Sequence, residues 1–70
     1  MKRSDYLNLA ARYKNGENVK VLCDGIEYYP IHYILAPVKG GGWSHIALLM
    51  DTKARSSFLE APLADLKEVE

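Results

Sequence analysis

Seventy residues with nine acidic and nine basic side chains carry no formal net charge and leave room for one domain only, residues 1–70. That balance removes the bulk attraction to phosphate backbones on which most nucleic-acid binders rely. A single cysteine, Cys23, excludes an internal disulfide and a cysteine zinc cluster, and no apolar run approaches the roughly 18 residues of a membrane span.

Lys2-Arg3 is not followed by the apolar core of a signal peptide, so with one free thiol the expected compartment is the cytoplasm. The basic start Met1-Lys2-Arg3 and the acidic end Glu68-Val69-Glu70 read as frayed, solvated termini. A chain this short buries only about 60% of its unfolded surface. With 49% of residues hydrophobic, the expected compensation is a dense core, or association with a second copy or a partner.

In chain order, Ser4 is a good N-cap, Asp5 puts a carboxylate in the first turn, and Tyr6, Leu9, Ala10 and Tyr13 fall at i, i+3, i+4 and i+7. That spacing predicts an amphipathic helix from about Ser4 to Asn15, ended by Gly16 in the left-handed conformation. Val19 to Cys23 alternates well enough for a strand, with Val19, Val21 and Cys23 inward. Asp24-Gly25 is a two-residue hairpin signal.

Ile26 to Ala36 is rich in aromatic and branched side chains and predicts one long strand. At about 3.3 Å per residue it would span roughly 36 Å if straight, more than a chain of this size accommodates. Pro30 cannot donate to a ladder and belongs at an edge, a bulge or a bend, so the strand is expected to curl there.

Pro37 to Gly42 reads as a mobile hairpin loop. It is not a phosphate loop, because a strand pattern and not a helix follows the triple glycine. Trp43 to Asp51 predicts a central strand covered on both faces, Ile46, Leu48 and Met50 pointing one way and Ala47 and Leu49 the other. A polar turn follows from Asp51 to Ser56, then a short strand from Ser57 to Ala61. Ala61 to Leu66 predicts a helical turn begun by Pro62, with Leu63, Leu66 and Val69 closing one end of the sheet. Leu66 to Val69 is the alternative, a last short edge strand.

The expected architecture is α+β, mostly β: an N-terminal helix packed on a strongly bent antiparallel sheet of about four strands, with an SH3-like small barrel as its closed form. No motif singles out a family.

Cys23, His32 and His45 are the only candidates for nucleophilic catalysis, with Asp24 or Asp51 to orient a base. A lone cysteine at the inner end of a strand is better read as a small buried hydrophobe. His32 and His45 lack the third ligand that zinc requires. No enzyme activity, cofactor or metal is therefore expected. The aromatic set Tyr28, Tyr29, Tyr33 and Trp43, with Lys39 and His45 nearby, is the functional lead, since Tyr and Trp offer large contact area and a polar tip. The expected function is a small accessory or inhibitor-like module that binds a protein partner or a second copy through this aromatic face and the Gly-rich loop. The alternative is a small-barrel nucleic-acid binder stacking bases on Tyr and Trp, which would need Lys39, Lys53 and Arg55 to gather beside Trp43.

Overall fold

The helical period at the start of the chain produces one helix, α1 (Arg3–Lys14), in the computed structural model, which describes residues 1–69. It buries Tyr6 and Ala10 and half-buries Leu9 and Tyr13, the four positions of the apolar stripe. Its start differs from expectation. Lys2, in an extended conformation, occupies the cap position without a side-chain cap, and Ser4 lies inside the first turn. The reason is a tether outside the helix: the amino nitrogen of Met1 donates to the carbonyl oxygen of Leu63 at 2.8 Å. The start of the chain is therefore held against the body of the domain and is not frayed. At the other end Asn15 caps the helix and Gly16, at φ 92°, takes the left-handed turn.

Five strands follow: β1 (Val21–Cys23), β2 (Ile26–Pro37), β3 (Trp43–Asp51), β4 (Phe58–Pro62) and, after a 3-10 turn at Leu63–Asp65, β5 (Leu66–Glu68). They form one antiparallel sheet in the order β4-β3-β2-β1-β5. The sheet is not closed, because β4 and β5 are its two edges and do not pair with each other; the SH3-like barrel is not formed. The fifth strand is the terminal segment read above as either a turn or an edge strand. It is both in succession, with Leu66 paired to Cys23. Val69, expected to help close that end, is exposed.

Two local features set the register. Asp24 and Gly25 have φ of 52° and 76°, the paired positive values of a tight two-residue hairpin turn, and so Cys23 faces Ile26. In β2 the pairing slips at the proline: Pro30 faces Leu49, His32 faces Leu48, and Ile31 is left without a partner. One extra residue on one strand is a β-bulge, and Pro30 at its edge is fully buried where no ladder donor is required of it.

The core joins Tyr6 and Ala10 of the helix to Val21, Cys23, Ala47, Leu49, Ala61, Leu63 and Leu66. On β3, Ala47 and Leu49 are wholly buried while Ile46 and Leu48 are only half-buried. The expectation that both faces of this strand are covered is thus met fully on one face only. The single helix packs on the Ala47 and Leu49 side; on the other face Met50 is buried, at the end where its partner Tyr29 meets Tyr13, and Ile46 and Leu48 are left half-buried.

Pairing between β3 and β4 ends at Ile46 and Pro62, so Trp43, Ser44 and His45 pair only with Pro37, Ala36 and Leu35. Beyond that point the β2–β3 hairpin is a two-stranded arm, and the molecule measures 37 × 22 × 20 Å. The bulge relieves the length of β2 only in part; its far end projects.

Candidate functional site

The aromatic set does not form one patch. Tyr28 is half-buried against the core, opposite Val21 on one side and Asp51 on the other. Tyr29 lies with its ring 5.1 Å from that of Tyr13, and the Arg55 guanidinium sits 5.6 Å from its centroid. The helix therefore covers Tyr29, and Arg55 Nη2 donates to the Tyr13 hydroxyl at 3.4 Å. Tyr28 thus belongs to the edge of the core and Tyr29 to the packing of the helix end.

Tyr33, His45 and Trp43 are placed differently. Tyr33 packs against the core edge, and its hydroxyl shares a hydrogen bond with His45 Nδ1 while the two rings stack at 5.9 Å. Arg3, from the first turn of α1, lies 5.9 Å above the Tyr33 ring, a cation–π contact. Trp43 faces Pro37 on the arm and is 61% exposed. Lys39 is exposed in the loop that closes the arm, where Gly40, Gly41 and Gly42 all have positive φ. Such a run is open to glycine and strained for other residues.

Between the arm and the helix start lies an open groove of about 840 Å³. Met1, Lys2, Arg3 and Asp5 form one wall, Trp43, Ser44 and His45 a second, and Pro62, Leu63 and Ala64 the floor. Three separate pieces of chain meet here because Ile46 pairs with Pro62 and the Met1 amino group is bonded to the Leu63 and Leu66 carbonyls. Its volume falls within the range of ligand sites. Of the expected binding residues it brings together Trp43 and His45. It adds Lys2, Arg3, Asp5, Pro62 and Leu63, which no periodicity or motif marks. The basic pair at the start of the chain was the one available signal, and it only becomes a wall once the chain is folded back.

The catalytic candidates are not assembled. Cys23 is buried, and its thiol is pushed up from its ordinary value by desolvation first and by the nearby charges of Asp24 and Asp65 next. A raised thiol is a poor nucleophile. His32 faces Leu48 whereas His45 faces Leu35, so the two imidazoles occupy opposite faces of the hairpin and cannot share an ion. Among the described residues no group of three or more His, Cys, Asp or Glu side chains could hold a metal. The Asp51 carboxylate accepts from the backbone N–H groups of Ala54 at 3.0 Å and Lys53 at 2.7 Å, which hold its pKa below the usual range. It ties the β3–β4 turn. Lys53 and Arg55 sit in that turn, at the end of β3 remote from Trp43, so they do not join Lys39 in a basic patch.

No helix is long and apolar enough to cross a membrane among the described residues. Comparisons with protein-family models, with characterised proteins and with solved structures find no match for this chain.

Proposed function

We propose that this domain is a non-catalytic interaction module, accessory or inhibitor-like, that takes a protein partner in the groove between the β2–β3 arm and the start of α1. The observation that carries this reading is Trp43, 61% exposed at the wall of a groove of about 840 Å³. A large aromatic with a polar tip, left in water beside a concavity, has the character of a binding anchor. The reading takes the domain to act in the cytoplasm, in keeping with its free, buried cysteine.

The test is capture of partners from native lysate by tagged protein, with and without nuclease, alongside Trp43→Ala. The expected result is a protein retained by the native chain after nuclease and lost with Trp43→Ala. Loss of all retained material on nuclease treatment would favour single-stranded nucleic acid instead. One contact speaks for that second reading, the stacking of Arg3 on Tyr33 beside the exposed Trp43. The remoteness of Lys53 and Arg55 and the presence of Asp5 in the groove speak against it.

A second copy is the other partner to consider. Phe58, 57% exposed, lies on the open edge strand β4, and Ile46 and Leu48 are half-buried on the next strand. Unpaired edges invite pairing. Sedimentation at micromolar concentration, with Phe58→Lys as the control, distinguishes a homodimer from a monomer.

A further inference from the structure

We infer that the occupant of the groove is an extended acidic peptide segment, one apolar side chain lying on Trp43 and Pro62 and its neighbouring carboxylates against Lys2 and Arg3. This rests on the interaction-module reading and names the chemical class of its partner.

The groove is two-sided in character. Met1, Pro62, Ala64 and Trp43 make part of its lining apolar, with Ser44 and His45 the polar members beside Trp43. Such a surface takes a hydrocarbon or aromatic side chain and gains by removing it from water. Its near wall carries Lys2 and Arg3, both exposed. Among the described residues neither is in an ion pair, the one pair being Arg12 with Glu17. Arg3 is partly positioned by Tyr33 beneath it, so less side-chain freedom is lost when it meets a carboxylate. Two cations outside any ion pair among the described residues, beside an apolar trough, complement a carboxylate flanking an apolar residue.

The walls also discriminate against other classes. Single-stranded nucleic acid needs a continuous cationic track along the backbone. Here the cations stop after two residues, and Asp5 lies in the same wall. A basic peptide would have Asp5 to pair with but would place its remaining charge against Lys2 and Arg3. Asp5 thus also supplies an internal control, because it opposes an anionic ligand and favours a cationic one.

Trp43 is the only tryptophan in the chain and serves as the reporter. Its emission is titrated with a Trp-free acetylated peptide of alternating glutamate and leucine, with the same peptide carrying lysine for glutamate, and with a short oligothymidylate. The acidic peptide is expected to give a saturable blue shift that weakens as salt is raised. Arg3→Glu is expected to weaken binding about fivefold, the upper scale of an exposed charge pair, and Asp5→Asn to tighten it. For Trp43→Ala, where the reporter is lost, anisotropy of a fluorescein-tagged acidic peptide is expected to show a loss of about 30-fold. Circular dichroism checks that each variant is folded.

No saturable change with the acidic peptide, a stronger response to the lysine peptide or the oligothymidylate, or tighter binding by Arg3→Glu would each overturn the assignment. If the acidic peptide fails while Trp43→Ala still loses a nuclease-resistant protein from lysate, the ligand class falls and the interaction-module reading stands.

Discussion

The hydroxyl of Tyr6 donates to the carbonyl oxygen of His32 at 2.9 Å, at the point where the β2–β3 ladder slips. The Leu48 carbonyl oxygen, across the same slip, lies 3.1 Å from that hydroxyl. A bulge leaves ladder groups without their regular partners, and buried backbone groups must find others. The helix supplies one from its most buried side chain, so that α1 and the bulge fix each other's position. Tyr6→Phe keeps the ring and removes the donor. It is expected to cost about 1–3 kcal/mol, the penalty of a buried acceptor left unsatisfied, read as a lower urea midpoint at unchanged slope.

The same burial sets an alkaline limit. Desolvation raises the Tyr6 phenol well above its ordinary value, outweighing the opposing hydrogen bond from the backbone at Ile31. In the unfolded chain the phenol ionises near pH 10. Below that pH it is neutral in both states and its contribution is fully present. As pH rises above about 10 the unfolded state loses its proton while the folded state keeps it, so stability falls by up to about 1.4 kcal/mol per pH unit. Urea midpoints of native protein and Tyr6→Phe at about pH 8 and about pH 11 check this; the native chain should lose more than the variant.

Cys23 should resist modification. It is 6% exposed, between Ile26 of β2 and Leu66 of β5, with its thiol raised by burial. Labelling by a thiol reagent under native conditions is expected at a rate set by local opening, at least about a hundredfold slower than in urea. Cys23→Ser places a hydroxyl in the apolar core and should cost about 1–3 kcal/mol. Native labelling as fast as in the unfolded chain would contradict the placement.

Deletion of Ile31 tests the bulge itself. Ile31 is the residue without a cross-strand partner. Its removal lets His32 follow Pro30 directly, opposite the consecutive Leu48 and Leu49, so that the ladder becomes regular and the faces of His32 to Pro37 are unchanged. What is lost is the irregularity at which the His32 and Leu48 carbonyl oxygens meet the Tyr6 hydroxyl. The expected outcome is a drop in stability of about 1–3 kcal/mol, the scale of a buried hydrogen bond lost, read from urea unfolding followed by circular dichroism. Ile31→Ala, which keeps the extra residue, should cost much less.

Much of this fold was written locally. The i, i+3, i+4, i+7 stripe of Tyr6, Leu9, Ala10 and Tyr13 made the helix, and Gly16 ended it, because helix period and cap chemistry act over a single turn or two. Asp24-Gly25 marked the first hairpin but left its register open by a residue or two, which the positive φ values and the Cys23–Ile26 pairing then set. Pro30 marked the place of the bulge because a missing N–H is intolerable in a regular ladder. The start of α1 was misread for a reason of the opposite kind: Ser4 has the right chemistry for a cap, but the bond from Met1 to Leu63 spans the whole chain.

The candidate site shows the same division. The residues themselves named Trp43 and His45 as polar-tipped or aromatic side chains on a strand, and parity placed them together on one face. Parity could not say that Tyr28 and Tyr29 are used up by the helix and core, nor that β3 outruns β4 at Ile46 and leaves Trp43 on a free arm. Those outcomes depend on where a strand of one length meets a partner of another, which no local period encodes. The groove needed the most from tertiary structure: its walls come from the first five residues, the start of β3 and the turn after β4. The pairing of Ile46 with Pro62 sets the turn after β4 beside the start of β3, and the Met1 amino bonds to Leu63 and Leu66 bring the first residues to that turn.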